Sequence, residues 1–166
     1  HSFSPLRFEM VKRPVLAPIE KGLQPFKAEN TVCLTGFTHP PYKQKTLDII
    51  DYAKSFNQLI LARGVEGSTL LPPDRRTPFI TMTNQSKPHF NFCSPTDFNL
   101  EQTAIENQSY LHSLDIGMAG LSGKNEQIQN FLCYQVMAIT NAINQPIQYN
   151  DLIQTIQSGK ALSHWE

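Results

Sequence analysis

The sequence lacks several features that would place it in a specialised class of protein. Its three cysteines, Cys33, Cys93 and Cys133, are far apart and odd in number, which argues against a disulfide framework and against a zinc cluster. Each lies in an apolar stretch and is predicted to be a small buried side chain, in a protein of a reducing cytoplasm. No apolar run approaches the roughly 20 residues of a membrane-spanning helix. The sequence also contains no P-loop, no dinucleotide-binding glycine pattern and no distinctive Ser/His/Asp arrangement.

The chain also lacks an excess of charge of one sign. Lysine and arginine together number 14, as do aspartate and glutamate, so the formal net charge is zero. No bulk electrostatic field therefore draws the chain to nucleic acid or to an anionic membrane, although a local basic patch is compatible with this balance. The sequence starts at His1 with neither an initiator methionine nor a signal-peptide layout, and we expect it to be a piece of a longer protein.

The composition and the residue pattern predict one α/β domain. The chain has 166 residues, of which 40% are hydrophobic and 17% charged, as in an ordered domain with its own core. Thr31–Phe37 is predicted to be a strand, Tyr42–Phe56 a helix and Leu59–Ala62 the next strand. A strand, a helix and a second strand in this order predict a βαβ unit with parallel strands.

The rest of the chain predicts a hairpin followed by helices. Phe79–Thr83 and His89–Cys93 are predicted to form an antiparallel hairpin at the sheet edge. Helices are predicted at Tyr110–Gly120, Glu126–Asn144 and Tyr149–Gln157. The expected fold is a central, mostly parallel sheet with an antiparallel edge hairpin, flanked by helices. In the longest helix, the residues predicted on one apolar face are Ile128, Phe131, Leu132, Val136, Ile139 and Ile143.

The stretch Gln58–Phe79 contains the candidate ligand loop. Its apolar strand stops at Arg63-Gly64, and the loop that follows holds one carboxylate, Glu66, between two glycines. Open α/β sheets bind ligands outside the carboxyl ends of their strands, and glycine permits close approach of the backbone to a ligand. We therefore predict a ligand site here; the alternative is a plain surface turn whose charges face water.

The candidate site residues are one carboxylate and a set of basic side chains. Glu66 is the candidate metal-binding residue, and the alternative is a solvated loop carboxylate. Arginine offers a planar fork of donors that suits phosphate, and the alternative is a surface ion pair with Asp74 or Glu66. His39 stands before a helix start, where ligands meet backbone N–H groups; the alternative is an ordinary loop histidine. No residue is assigned a catalytic role. The candidates for binding phosphate or nucleic acid are His39, Arg63, Arg75, Arg76, Lys12 and Arg13.

Three segments in the second half of the chain carry a resemblance to a known family. They are Ser94–Leu100, Gly120–Gly123 before the long helix, and Ser158–Leu162 after the short one. In this order they resemble the C-terminal portion of anthranilate phosphoribosyltransferases, members of glycosyl transferase family 3. The loop at Arg63–Gly67 and the tract Asp74–Pro78 are more similar to a divergent branch of that family.

The resemblance implies that residues 1–166 form the C-terminal part of one phosphoribosyltransferase or nucleoside phosphorylase-like α/β domain. The family's N-terminal helical domain and its Gly-Thr-Gly-Gly-Asp phosphate loop have no match here, so the chain by itself is expected to be inactive. A homodimer through that helical domain is expected of the longer protein. Family members bind Mg²⁺ through adjacent carboxylates; aligned at Gly64, those positions hold Glu66 and Gly67, which leaves a weak Mg²⁺ site.

Two functions are consistent with these observations. The first is transfer of a phosphoribosyl group from phosphoribosyl diphosphate, with a degenerate metal site. The second is a non-catalytic nucleic-acid-binding protein on the same fold, in which Arg and Lys contact phosphates and Phe90 and Phe92 stack on bases. Binding that needs Mg²⁺ and phosphoribosyl diphosphate supports the first function. Binding that ignores base sequence and falls steeply with salt supports the second.

Overall fold

A four-stranded sheet forms the centre of the fold. The computed structural model describes residues 24, 28–105 and 110–163. Short 3₁₀ turns occur at Val65–Gly67 and Pro95–Phe98. The strands are β1 (Val32–Gly36), β2 (Gln58–Ala62), β3 (Thr77–Thr83) and β4 (His89–Cys93). The helices are α1 (Pro40–Ala53), α2 (Tyr110–Leu121), α3 (Glu126–Ala142), α4 (Tyr149–Gln157) and α5 (Lys160–Ser163).

The strands lie in the order β1-β2-β3-β4. β1 and β2 pair in parallel, and β2 with β3 and β3 with β4 pair antiparallel. The α/β class, the antiparallel hairpin and the flanking helices are confirmed, and the described sheet is mixed where a mostly parallel one was expected. A parallel pairing needs a long crossover, which α1 supplies between β1 and β2, whereas no helix longer than one 3₁₀ turn separates β2 from β3.

Apolar side chains of the sheet are buried on both faces. Leu59 and Leu61 of β2 belong to the cluster that includes Leu47 and Ile50 of α1. Their neighbours Ile60 and Ala62 point the other way and join a cluster with Tyr134 and Ala138 of α3. Successive strand residues face opposite sides, so a strand covered on both faces needs an unbroken apolar run. This explains why the sequence of β2 does not alternate.

Helix α1 begins and ends where the local sequence directs. Pro40 and Pro41 occupy its first two positions, after the N-cap residue His39. Proline suits these positions because its ring presets a helical φ and the missing N–H would be unpaired there. The helix ends at Lys54, whose φ of 48° lies in the left-handed region. The described helix therefore starts two residues before the predicted Tyr42 and ends before the predicted Phe56.

The buried face of α3 differs from the predicted one. Val136 was expected to be buried and is 37% exposed. The apolar pattern missed the polar and small side chains that point inward. In particular, Gln135 is buried because its amide bonds the backbone of a loop across the core. The buried residues of α3 are Ile128, Gln129, Cys133, Tyr134, Gln135 and Ala138.

The three cysteines are buried, as predicted, and none of them forms a disulfide. Burial raises the pKa of Cys93 and of Cys133 to about 11. A thiol with so high a pKa is almost wholly protonated at neutral pH, and such cysteines serve as small apolar side chains. Among the helices of the described residues, none is both long and apolar enough to cross a membrane.

Candidate functional site

Three connecting segments meet at one end of the sheet: those that follow β1 and β4, and the loop that joins β2 to β3. Because β1, β2 and β4 run in one direction and β3 runs in the other, the ends of the first three lie beside the start of β3. We call this the upper end of the sheet. Lys12 and Arg13 lie outside the described residues. The predicted site residues that follow or precede these strand ends are His39, Arg63, Glu66, Arg75 and Arg76.

The loop after β2 packs closely on the end of β1. A Cβ atom on Gly36 would lie 2.1 Å from the carbonyl oxygen of Ser68, and one on Gly64 would lie 2.0 Å from the same atom. Gly67 has a φ of 79°, and a Cβ there would lie 2.5 Å from Cγ2 of Thr38. Real Cβ atoms do not approach backbone atoms so closely, so positions 36 and 64 need glycine, and the positive φ of Gly67 favours glycine there as well. The turn at 65–67 is thereby held against the end of β1, beside the loop that contains His39.

Glu66 occupies the outer corner of this turn. It is exposed, with φ 52° and ψ 27°, in the left-handed region that side chains other than glycine rarely adopt. The turn is closed by hydrogen bonds from Gly67 N to Gly64 O (3.2 Å) and from Ser68 N to Val65 O (2.9 Å). Strained residues of this kind persist where the surroundings fix them, and they concentrate at ligand sites. The structure therefore fixes the backbone of Glu66 with its side chain accessible to a ligand.

Glu66 does not belong to a multidentate metal site in the described part of the chain. No group of three or more His, Cys, Asp or Glu that could hold a metal occurs there. Asp74, another carboxylate at the upper end, accepts from Arg75 at 3.2 Å. A single carboxylate supplies only one side of the six-coordinate shell of Mg²⁺. The residues present fit Mg²⁺ only when phosphate oxygens of a ligand and water complete that shell.

The three arginines at the upper end have different surroundings. Arg75 forms an ion pair with Asp74. For this residue the structure therefore shows the surface ion pair that was the alternative to phosphate binding. The guanidinium carbon of Arg76 lies 4.7 Å from the centroid of the Phe92 ring. Among the described residues, neither Arg63 nor Arg76 has a carboxylate within ion-pair distance. These two arginines are therefore better placed than Arg75 to accept an added anion.

The start of α1 offers no free backbone donors to a ligand. Pro40 and Pro41 have no N–H, and the N–H groups of Tyr42 and Lys43 both donate to the carbonyl of His39, at 3.0 and 3.2 Å. His39 was predicted to contribute because helix starts usually present free N–H groups to a ligand. The first turn of α1 does not present them. The imidazole itself is exposed and makes no capping hydrogen bond. Any contribution of His39 must come from its side chain.

Two aromatic rings on β4 each lie beside a basic side chain, and the sequence alone did not predict this pairing. Phe90 and Phe92 are 58% and 52% exposed and lie on the α1 side of the sheet, because Phe90 pairs with Ile80 of the α1-side core. Lys43 Nζ lies 5.1 Å from the Phe90 ring, as Arg76 lies over Phe92. We call these four residues the aromatic strip. Lys43 was missed, although its position four residues after His39 places it on the same side of the helix start.

Comparison with known proteins finds a similar fold among solved structures. No protein-family model and no curated protein matches the sequence. Among solved structures, the chain is similar to anthranilate phosphoribosyltransferase from Saccharomyces cerevisiae in complex with 4-fluoroanthranilate, with a TM-score of 0.59 and 17% sequence identity. The chain has a phosphoribosyltransferase-like fold. The match covers 77% of this chain and 39% of the yeast enzyme, so the chain spans well under half the length of that protein. At this identity, the likeness shows the fold alone.

Proposed function

We propose that the upper end of the sheet binds a phosphate-bearing ligand, as part of an enzyme that transfers a phosphoribosyl group from phosphoribosyl diphosphate. The observation that carries this proposal is the glycine-packed turn, which holds Glu66 at the end of β2, at the same end of the sheet as Arg63 and Arg76. Open α/β sheets bind ligands at such strand ends. The phosphoribosyltransferase-like fold is consistent with this use of the upper end.

The basic residues of this end suit a diphosphate. The guanidinium groups of Arg63 and Arg76 are free of carboxylate partners within the described residues, and each offers a planar set of donors to phosphate oxygens. Phe92 supports Arg76 from one side through the cation–π contact, which limits the positions its side chain takes. Arg75 contributes less because Asp74 already neutralises it.

Glu66 would hold a Mg²⁺ ion that arrives with the ligand. One carboxylate together with phosphate oxygens and water is a usual environment for this ion. When bound, Mg²⁺ offsets the negative charge on the diphosphate as it leaves the ribose. The turn at 65–67 would hold the carboxylate of Glu66 in place to contact the Mg²⁺ ion. The arginines would bind the phosphate oxygens. Because Gly67 follows where a second carboxylate is expected, the Mg²⁺ affinity in the absence of ligand should be low.

Isothermal titration calorimetry with phosphoribosyl diphosphate tests the proposal. We expect binding that is stronger with Mg²⁺ and that weakens about tenfold or more in Arg76→Ala, since hydrogen bonds to charged groups contribute about 1.5–3 kcal/mol. Arg75→Ala should weaken it less. Lys87→Ala, a lysine in the β3–β4 turn at the opposite end of the sheet, is the control for loss of one positive charge. Equal losses in all three variants would contradict a site at the upper end.

The aromatic strip favours a second candidate function, binding of single-stranded nucleic acid without catalysis. Two exposed rings on one strand, each beside a cation, offer stacking surfaces for bases and positive charges for phosphates. Fluorescence anisotropy with a labelled oligothymidylate tests it over a range of salt concentrations. Affinity that falls with salt and drops in the double variant Phe90→Ala/Phe92→Ala would support this function. Oligothymidylate affinity unchanged in that variant would exclude it.

A further inference from the structure

The outer edge of β4 is open within the described part of the chain. In the sheet that those residues form, β4 is the last strand and pairs only with β3. The first four residues of β4 are exposed. The strand contains neither lysine nor proline, which commonly protect an edge strand from pairing with another chain. An edge without this protection can pair with one more strand.

Phe90 and Phe92 direct their backbone groups toward this open edge. Arg63 N donates to the carbonyl of Pro78, so Pro78 bonds β2, and its neighbours in β3 bond β4. Pro78 lies opposite Phe92, so the backbone groups of Phe92, and of Phe90 two residues earlier, are not used in the β3–β4 ladder. The N–H of Phe92 donates to Oδ1 of Asn91 at 3.1 Å. The other three outward groups have no partner within the described residues.

The side chains beside this edge are aromatic and basic. They are those of the aromatic strip, in which Lys43 lies over the Phe90 ring and Arg76 over the Phe92 ring. Neither cation has a carboxylate within ion-pair distance in the part of the chain that the structure describes. The two carboxylates of α1 that face the hairpin lie beside its turn: Asp48 and Asp51. The aromatic strip therefore carries positive charge that acidic side chains on an added strand would offset.

We propose that the open edge of β4 binds an extended, acidic segment of another protein as an added antiparallel strand. The backbone of that segment bonds the outward groups of Phe90 and Phe92, and its acidic side chains contact Lys43 and Arg76. Residues that bond each other across an antiparallel pair place their side chains on the same face. The acidic residues are therefore the alternate ones whose N–H groups bond β4.

The structure favours a peptide over two other occupants of this edge. A single-stranded nucleic acid stacks on the two rings but leaves the outward backbone groups unpaired. A second copy of the chain, paired through its own β4, would bring two basic strips together, and like charges repel. The proposal does not depend on the function proposed for the upper end. Arg76 belongs to both regions, whereas Lys43 and the N–H of Phe90 belong only to the edge, so the test relies on these two.

Amide hydrogen exchange, measured by NMR with the hexapeptide acetyl-Thr-Glu-Thr-Glu-Thr-Glu-amide, tests the proposal. We expect exchange of the Phe90 N–H to slow about fivefold or more near saturation, because this group gains a hydrogen bond. Exchange of the Asn91 N–H, which faces β3, should change less. The same peptide with lysine in place of glutamate should bind about tenfold or more weakly, since it repels the cations of the aromatic strip.

Two N-methylated peptides separate strand pairing from simple charge attraction. In the first, the three glutamate N–H groups, which would bond β4, carry methyl groups. In the second, the three threonine N–H groups, which would face away from β4, carry them. The two peptides have the same charge and the same number of methyl groups. The first should bind about tenfold or more weakly than the parent peptide because it loses several hydrogen bonds, and the second should bind within about twofold of it.

Two lysine variants test the basic side of the edge. Lys43→Gln should weaken binding of the glutamate peptide about two- to fivefold, as expected for an exposed charge pair. Lys45→Gln is the matched control. It removes an exposed lysine two residues further along α1, on a different side of the helix, and should leave peptide binding unchanged. Equal losses in the two variants would contradict a contact between the peptide and Lys43.

Other outcomes would overturn the proposal outright. They are equal affinity for the glutamate and lysine peptides, equal loss from the two N-methylated peptides, or unchanged exchange at Phe90. Slower Phe90 exchange with oligothymidylate but not with the peptide would assign the aromatic strip to nucleic acid instead. Slower Phe90 exchange on raising the protein concentration alone would assign the edge to a second copy of the chain.

Discussion

The side-chain amide of Gln135 bonds both backbone groups of Leu71. Leu71 N donates to Gln135 Oε1 at 2.8 Å, and Gln135 Nε2 donates to Leu71 O at 3.0 Å. One residue earlier, the carbonyl of Leu70 accepts from Val65 N at 2.8 Å, next to the turn that holds Glu66. Helix α3 thus fixes the candidate ligand loop from the far side of the core.

Replacing Gln135 by methionine should lower the free energy of unfolding by about 1–3 kcal/mol. Leu71 is 1% exposed, so loss of the amide leaves a buried N–H and a buried carbonyl unpaired, and each carries a desolvation cost. Urea unfolding followed by circular dichroism measures the change. Gln129→Met on the same helix is the matched control, because Gln129 Nε2 is buried without a partner within the described residues. The control should be neutral or stabilising; an equal loss in both variants would contradict the role of the Leu71 bonds.

Gly36→Ala should destabilise the fold by about 1–3 kcal/mol, as overpacking of a core does. Its Cβ would overlap the carbonyl oxygen of Ser68, which belongs to the backbone and cannot move aside without shifting the loop. Gly117→Ala in α2 has open space around the new Cβ and should gain up to about 1 kcal/mol from helix propensity. Thermal and urea unfolding should therefore show a lower stability for Gly36→Ala and a higher stability for Gly117→Ala than for the wild-type protein. A neutral Gly36→Ala would show that the turn does not pack on β1.

Glu66→Gly should stabilise the protein by about 1 kcal/mol relative to Glu66→Ala. Residue 66 has a φ of 52°, and side chains other than glycine are unfavourable in that conformation. Both variants lack the carboxylate, so their difference isolates the backbone strain. Both should lose the part of phosphoribosyl diphosphate binding that depends on Mg²⁺. Unfolding free energies that agree within error would show that the turn relaxes when the side chain is shortened.

The stability of the protein should fall as the pH rises from about 9 to about 11. Burial raises the pKa of Cys93 and of Cys133 to about 11, from an ordinary value of 9.0. Well below pH 9 both thiols are protonated in the folded and unfolded states, and the full stability is present. Above it the unfolded thiols ionise first, which favours unfolding until the folded pKa is passed. Burial also raises the pKa of Tyr134, so ionisation of this residue at high pH favours unfolding in the same way.

Urea midpoints at pH 7.5, 9 and 10.5 measure this dependence. Cys133→Ala should show a smaller fall between pH 9 and 10.5 than the wild-type protein, because one of the titrating groups is gone. A wild-type midpoint that rises over this range would contradict the sign of the argument.

Much of the fold was predictable because it depends on local patterns. The unbroken apolar run of β2 indicates a strand buried on both faces, and the two prolines after His39 mark the start of α1. The directions of β3 and β4 were harder to predict from the sequence. The pairing of β2 with β3 depends on the path of the loop around Pro72 and Pro73, which carries no periodic signal.

The candidate site was predictable only in part. The glycines on either side of Glu66 mark a turn that approaches another backbone, and the structure shows that approach at Gly36. The Gln135 bonds were not predictable because they join residues 64 positions apart, and a glutamine in a helix gives no indication of its partner. The sequence indicated Phe90, Phe92 and Arg76 as candidates, but not Lys43 or the pairing of each ring with a cation, because these contacts form only when β4, the start of α1 and the loop before β3 come together.

The central claim is that phosphate groups bind at the upper end of the sheet, and amide chemical-shift mapping with phosphoribosyl diphosphate and Mg²⁺ tests it most directly. We expect the largest shifts at Arg63, at Glu66 with its flanking glycines, and at Arg76. The turn at 84–87, at the opposite end, should not move. Shifts confined to that turn or spread evenly over the chain, or an unchanged spectrum at millimolar ligand, would contradict the claim.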